Sequence, residues 1–278
     1  MEKIDYFKNK NNVKTDFRKY VDFIKANFFI LYKKLLEYKI NLWSSILLQI
    51  VFLSVNLFFV LIISSNFGDI IGWDNYDFLL LVFLSDIIWV LTGIFLWSRP
   101  LFYEIKKGYL NVIINKPLSN LFKKLFLDLN ESAFVMLILD IPFLMFILLF
   151  ILKINILKIL FLILIIFYLS FFILIFVYFL ESFDFYYLGL GESLRKFINI
   201  FEIVDSYPYQ FFKNFKFRFI FLIFSITYVS FIIPYIRGYE PLSYLLKYLL
   251  ISFILFIIFF IGTVYNWKRG IKKYEAYG

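Results

Sequence analysis

Three acidic residues lie within long apolar runs of the sequence, where carboxyl groups are rare. Asp86 and Asp140 lie near the middle of two such runs, and Glu131 lies nearer the end of the second run. Placing a charge at the centre of a bilayer costs about 3 kcal/mol, so an acidic residue there usually faces other helices or water. The chemistry open to these carboxyl groups is the binding and release of a proton. The pattern therefore indicates either proton coupling through Asp86 and Asp140, or neutral carboxyl groups that are hydrogen-bonded to a nearby serine or threonine.

Two neutral polar residues, Gln49 and Asn56, lie in the first apolar run of the chain. They are seven residues apart, which places both on one face of an α-helix. Residues of this kind line a pore or contact a neighbouring helix, and we favour helix packing. Pro142 closely follows Asp140 and predicts a kink in that helix. Together with the three acids, Gln49 and Asn56 are the candidate intramembrane polar residues.

Most other catalytic chemistry lacks its residues here. The chain has no cysteine and no histidine, which removes thiol chemistry and the usual ligand sets for zinc, haem and iron–sulfur clusters. It has no G-x-x-x-x-G-K-[ST] phosphate-binding loop and no G-x-S-x-G nucleophile motif. Gly189-Leu190-Gly191 is an isolated G-x-G with no strand predicted before it. We therefore predict a chain that is not an enzyme, has no metal site or cofactor of its own, and carries no energy source.

The elements that hold these residues are apolar segments of membrane length. The chain is 63% hydrophobic and 18% charged, which is typical of an integral membrane protein. A helix needs roughly 20 apolar residues to cross a bilayer. We predict an all-α protein with six transmembrane helices, of which the fifth is the shortest; the predicted spans are 42–63, 76–97, 125–152, 156–180, 219–236 and 242–266.

Basic residues are concentrated on one side of this predicted topology. The segments 1–41, 98–124, 181–218 and 267–278 contain all but four of the 29 Lys and Arg residues. Because Lys and Arg are enriched in cytoplasmic loops, we predict that both termini are cytoplasmic. This topology also accounts for the formal net charge of +9, so the charge does not indicate nucleic-acid binding.

Two segments on the predicted cytoplasmic side have amphipathic patterns. Residues 13–38, within the N-terminal segment 1–41, place apolar residues on one helical stripe with lysines beside it, which predicts an interfacial helix or a helix packed on a cytoplasmic partner. After Pro100, apolar residues recur every three or four positions, with Gly108 as a weak point and Pro117 at the end. This pattern predicts a short helix, or a pair of half-turns, between the second and third spans. Residues 195–218 fit either an interfacial helix or part of the fifth span.

Three stretches resemble the permeases of type 2 ABC exporters, in particular a six-span branch of prokaryotic permeases. I-K-K-G-Y-L-N-V-I-I-N-K-P-L at 105–118 is similar to the family pattern, although Asn111 and Asn115 depart from it. Y-P-Y-Q-F-F at 207–212, followed by I-P and E-P-L, has a similar spacing of prolines. W-K-R-G-I-K-K-Y-E-A-Y-G at 267–278 is similar to the family's C-terminal ending, and its matching residues are Trp267, Gly270 and Tyr274.

The resemblance implies a membrane subunit that works in the cytoplasmic membrane of a prokaryote. Two such permeases, identical or related, would associate, with their first and fifth spans at the dimer interface and the export path. Two separate ATPase subunits would bind ATP and Mg²⁺ and would dock on a coupling helix within 99–117. The candidate coupling residues are Phe102, Glu104, Ile105, Lys106, Lys107, Gly108, Tyr109 and Pro117.

Two other functions remain open at this point. One is a proton-coupled carrier or channel that uses Asp86 and Asp140, although we see no internal repeat between 42–152 and 156–266. The other is a membrane scaffold or immunity protein that transports nothing. An apolar bundle rich in phenylalanine fits lipids, peptides and drugs alike, so the sequence does not identify a substrate.

Overall fold

The fold is a bundle of long apolar helices joined by short helices and turns. The computed structural model describes residues 12–96, 100–114, 118–127, 129–196, 207–214, 216 and 218–274, and no strand occurs in these ranges. The first half contains α1 (Asn12–Glu37), α2 (Lys39–Ile71), α3 (Asn75–Leu96), α4 (Leu101–Lys106), α5 (Leu110–Ile114), α6 (Asn120–Phe126) and α7 (Glu131–Phe146). The second half contains α8 (Ile156–Glu181), α9 (Val229–Arg237) and α10 (Leu242–Lys273). The predicted all-α membrane architecture is confirmed at this level.

Five helical segments in the described ranges are long and apolar enough to cross a membrane. They are Lys39–Ser65, the segment that contains α3 (Asn75–Leu96), Glu131–Ile151, Ile156–Phe185 and Leu242–Lys273. These segments correspond to the first four predicted spans and to the last. The third begins at Glu131 rather than at 125, because the separate short helix α6 and the turn after it occupy the preceding residues. It continues past Pro142 and ends in a π-helical stretch, Ile147–Ile151.

The predicted fifth span, 219–236, does not form a helix of membrane length. Its apolar helix covers Ile226–Arg237, which is about 18 Å long at 1.5 Å per residue, against about 30 Å of hydrocarbon. Its first residues belong to a 3₁₀ turn, Ser225–Tyr228, and a second such turn, Arg218–Ile223, precedes it. Phe224, between the two turns, is in an extended conformation. The six-span count is therefore not confirmed, and the orientation of the termini stays a prediction.

Side-chain hydroxyls stabilise this broken segment. Thr227 Oγ1 donates to the carbonyl of Phe221 at 2.8 Å, and Tyr228 Oη donates to the carbonyl of Leu222 at 2.9 Å. In an apolar setting an unpaired carbonyl is costly, so these bonds substitute for the regular helical ones that the break removes. Upstream, the Tyr209 amide donates to Ser230 Oγ at 3.0 Å, which holds residues 207–210 against α9. Residues 197–206 lie outside the described ranges, so the assignment of 195–218 stays open.

The helix α3 lies at the centre of the bundle. It packs against α2, α7, α8 and α9, and most of its side chains are buried. In contrast, α2 and α10 expose apolar side chains along much of their length, including Phe58 and Phe253. Such surfaces are expected on helices that face lipid or another membrane subunit.

The helix α1 packs against the bundle through part of the predicted apolar stripe. Leu31 and Leu35 are buried, whereas Tyr38, which follows the helix, is exposed. The Tyr20 ring meets the Phe122 ring of α6 edge-on at 4.7 Å between centroids. The lysines Lys25 and Lys33 are exposed, as expected for an amphipathic helix.

Candidate functional site

The segment between α3 and α7, here called the α4–α6 segment (residues 100–126), combines a buried base with an exposed side. Leu101, Ile105 and Leu110 are almost fully buried in the main apolar core. Leu101 and Ile105, which are four residues apart, share the buried face of α4, as the amphipathic pattern predicted. The exposed side carries Tyr103, Lys106, Lys107, Tyr109 and Val112.

Gly108 separates two short helices within this segment. Its φ of +70° lies in the left-handed region, which residues with a Cβ adopt at a cost. The chain can thus end α4 and begin α5 within three residues. The sequence predicted either one short helix or a pair of half-turns, and the structure has two helices joined at this glycine.

A buried ion pair fixes α4 to α6. Lys124 Nζ lies 2.7 Å from Glu104 Oε1, and the two side chains are 2% and 5% exposed. A buried charge is tolerated when it is paired at good geometry, and removing one partner is strongly destabilising. Glu104 and Ile105 therefore lie inside the protein, whereas Lys106, Lys107 and Tyr109 are on its surface and Phe102 is partly buried. Pro117 lies outside the described residues.

A second ion pair, between buried Glu181 and partly buried Arg195, lies at the end of α8. Arg195 Nη1 donates to Glu181 Oε1 at 2.6 Å, and its Nη2 donates to the Leu96 carbonyl at 3.2 Å. Glu181 also accepts a hydrogen bond from the Leu101 amide. These contacts join α3, α4 and α8 to the helical residues 190–196. The sequence predicted only the topology from Arg195 and Lys124 and missed both pairs, because the partners are 14 and 20 positions away, beyond the three- or four-residue spacing of a helix face.

The isolated G-x-G motif has a structural role. The amides of Gly189 and Gly191 donate to Asp184 Oδ1 at 3.0 and 2.8 Å. A Cβ on Gly191 would lie 2.8 Å from the backbone of Glu181, so a larger residue does not fit. The motif closes a turn, and the described residues before it are helical, whereas a nucleotide-binding G-x-G follows a strand.

The C-terminal motif packs against the 3₁₀ turn Ser182–Phe185. Trp267 is 3% exposed, and its ring meets Phe185 edge-on at 5.2 Å between centroids. A Cβ on Gly270 would lie 2.3 Å from the Phe185 ring, so the helix reaches this turn only because residue 270 is glycine. Tyr274 lines an adjacent groove of about 760 Å³ with Arg269 and Lys273. Burial raises the pKa of the Tyr274 phenol.

Three of the candidate intramembrane polar residues converge. Gln49 Nε2 of α2 donates to Asp140 Oδ1 of α7 at 2.6 Å and lies 3.2 Å from Asp86 Oδ2 of α3. Gln49 and Asp140 are almost completely buried, and Asp86 is partly buried. We call these three residues the Gln49 cluster.

The Gln49 cluster places two carboxyl groups close together. Both accepting oxygens contact the same nitrogen, so they are at most about 6 Å apart. At that separation, and with an effective dielectric constant of about 20, two carboxylates repel each other by roughly 3 kcal/mol. The amide that lies between them carries no charge to offset this repulsion.

The other two candidates lie outside the cluster. Asn56 is partly buried on α2. Glu131 begins α7 with its carboxylate 3.9 Å from Lys34 Nζ, and its side chain is 25% exposed. The structure thus brings together three of the five candidate polar residues and places Glu131 at a helix end with a cation nearby.

A polar cluster that the sequence did not predict lies at the start of α3, the end of this helix that is distant from the α4–α6 segment. Arg237 Nε donates to Asp77 Oδ1 at 2.9 Å, and Arg237 Nη2 also donates to Asp74. Tyr239 Oη donates to Asp77 Oδ2 at 3.3 Å. Asp77 is completely buried, so this pairing ties the end of α9 to the start of α3. A contact between residues 160 positions apart leaves no local sequence signal.

Comparison with known proteins gives one family. No curated protein and no solved structure matches the chain. A family model described as an ABC-2 family transporter protein matches residues 50–278, which include the α4–α6 segment, Asp86, Asp140 and the C-terminal motif. The match confirms the resemblance predicted from the three sequence stretches, and the chain belongs to the ABC-2 family of transporter proteins.

Proposed function

We propose that this chain is the membrane-spanning subunit of an ATP-driven exporter and works with separate ATPase subunits. Family membership is the observation that carries this proposal, because ABC-2 permeases are membrane components of ABC transporters. The sequence contains no phosphate-binding loop, so ATP and Mg²⁺ would bind to the partner.

The exposed side of the α4–α6 segment is the proposed docking surface for the ATPase. Lys106 and Lys107 would pair with acidic side chains of the ATPase, and Tyr109 would pack into an apolar groove on it. The buried base of the segment supports this role, since α4 is held by Leu101, Ile105 and the Glu104–Lys124 pair. A displacement at the exposed side would therefore be transmitted to α6 and to the apolar core.

Two copies of the chain, or this chain and a related one, would form the export path. The helix α2 supports this arrangement because it exposes apolar side chains such as Phe52, Val55 and Phe58. The resemblance also assigned the fifth span to the dimer interface, but Phe231, Ile232 and Ile233 of α9 are buried within the chain itself. We therefore propose α2 as the main contact between the two permeases.

The test is purification of the protein from its native membrane, with mass measurement of the complex. We expect two permease chains and two ATPase chains that carry a phosphate-binding loop. In the Lys106→Glu/Lys107→Glu variant the ATPase should be lost, because reversed charges would repel its acidic residues. Lys247→Glu is the matched control, since Lys247 is an exposed lysine near the start of α10.

Retention of the ATPase by the Lys106→Glu/Lys107→Glu variant would refute the proposed docking surface. Absence of any ATPase from the wild-type preparation would refute the exporter. The Gln49 cluster would then favour the second candidate function, a proton-coupled carrier or channel that uses Asp86 and Asp140. Transport by the purified chain without ATP would support that candidate, and absence of any transport would favour a scaffold or immunity protein.

A further inference from the structure

The Gln49 cluster joins, at one point, the first three helices of membrane length. Its side chains come from α2, α3 and α7, which pack against one another in all three pairs. A single amide nitrogen is the donor that both carboxyl groups share. Neither the family match nor the proposed export function assigns a role to this arrangement.

The hydrogen-bonding capacity of the cluster does not suit two ionised carboxylates. A carboxylate has two oxygens that accept hydrogen bonds and no donor, whereas a protonated carboxyl group gains an O–H donor. Asp140 is 0% exposed, and its Oδ2 has no hydrogen-bond partner among the residues that the structure describes. An unsolvated, unpartnered oxygen is much less costly on a neutral carboxyl group than on an ionised one.

No cation near the cluster offsets its negative charge in the described part of the chain. The nearest charged residues along the three helices are Lys39 on α2, Asp77 on α3 and Glu131 on α7, each nine or ten positions away. At 1.5 Å per residue these positions are about 13–15 Å along the helix axes. Asp77 is paired with Arg237, and Glu131 lies beside Lys34. Neither the α8 nor the α9 residues that pack on α3 add a charge at this level.

We propose that Gln49, Asp86 and Asp140 form a proton-binding site that stays occupied at neutral pH. One bound proton leaves a single negative charge, which the Gln49 amide stabilises by a hydrogen bond. Release of the proton creates two neighbouring carboxylates in an apolar setting and pushes α3 and α7 apart. The occupied site therefore holds the three helices together.

Labelling with dicyclohexylcarbodiimide tests the site in the wild-type chain in its native membrane. This apolar reagent modifies carboxyl groups that are protonated, and peptide mass spectrometry locates the adduct. An ordinary glutamate in water is protonated in only about 1 of 500 molecules at pH 7. We expect labelling of Asp86 or Asp140 to exceed that of Glu131, the internal control on α7, by on the order of 100-fold at pH 7.

Infrared spectroscopy of the purified chain in an ester-free detergent provides a second measurement. At pH 7 the carbonyl band of protonated carboxyl groups should be weaker in the Asp86→Asn/Asp140→Asn variant. The lost absorbance should correspond to at least one carboxyl group per chain. Glu131→Gln should leave the band unchanged. Equal labelling of Asp86, Asp140 and Glu131 would overturn the proposal, as would an unchanged band in the folded double variant. If the double variant does not fold, the labelling of the wild-type chain decides. Neither measurement requires an ATPase. The proposed proton-binding site and the proposed export function can therefore be refuted independently of each other.

Discussion

Replacing Glu104 with glutamine tests whether the base of the α4–α6 segment depends on a buried charge pair. The substitution keeps the shape of the side chain but removes the negative charge that lies 2.7 Å from Lys124 Nζ. Lys124 is 2% exposed, so water cannot replace the lost partner. We expect a lower free energy of unfolding and weaker attachment of α4 to α6.

The expected cost follows from the burial of both partners. Breaking a buried ion pair by removing one member costs about 3–5 kcal/mol, whereas an exposed pair is worth about 0.2–1 kcal/mol. Lys124 also interacts with the charge of Glu181, which has its own partner in Arg195. We therefore expect the lower end of the buried range, about 3 kcal/mol. The double variant Glu104→Gln/Lys124→Met should recover most of this loss, since it removes both charges of the pair.

The assay is equilibrium unfolding of the purified chain in mixed micelles, followed by tryptophan fluorescence. Glu192→Gln is the matched control, because Glu192 pairs at 3.2 Å with Lys196, which is 71% exposed. The control should lose less than about 1 kcal/mol. The reasoning is refuted if Glu104→Gln costs no more than the control, or if the effects of Glu104→Gln and Lys124→Met simply add in the double variant.

Two further substitutions test contacts at opposite ends of the bundle. Gly270→Ala should lower the free energy of unfolding by about 1–2 kcal/mol, because overpacking against Phe185 outweighs the gain in helix propensity. The measurement is a thermal melt, with Lys268→Ala on the exposed side of the same helix as the control. An equal or higher melting temperature for Gly270→Ala would contradict the predicted clash. Arg237→Met should cost about 3 kcal/mol because it leaves the buried Asp77 carboxylate without its cation. Arg237→Met/Asp77→Asn should be more stable than Arg237→Met alone. If the double variant melts at the same temperature as Arg237→Met, the predicted ion pair does not contribute to stability.

Hydropathy alone located most of the long helices, because a membrane span requires a run of apolar residues and little else. It failed at 219–236, where the composition is equally apolar. There, the extended Phe224 interrupts the helix, and the hydroxyls of Thr227 and Tyr228 bond to the carbonyls that the break exposes. A hydropathy average contains no information about such bonds.

The sequence also identified the individual polar residues of the candidate sites without their contacts. Asp86, Asp140 and Gln49 are conspicuous in apolar runs, and Gly270 is conspicuous in a short motif. What these residues touch depends on chain segments that are far apart: Gln49 contacts residues 37 and 91 positions away, and Gly270 lies against Phe185. Periodicity reports which face of a helix is apolar, but it does not report which face of another helix packs against it.

The sequence by itself thus determined the class of protein, the main apolar helices and the family, since these depend on local composition and short motifs. Only the tertiary structure decided that Glu104 is buried while Lys106 and Tyr109 are exposed. It alone paired Glu104 with Lys124 and joined Asp86 to Asp140 through Gln49. The physical reason is that a charge or an amide in an apolar interior is stable only with a partner, and helix packing determines which partner is within reach.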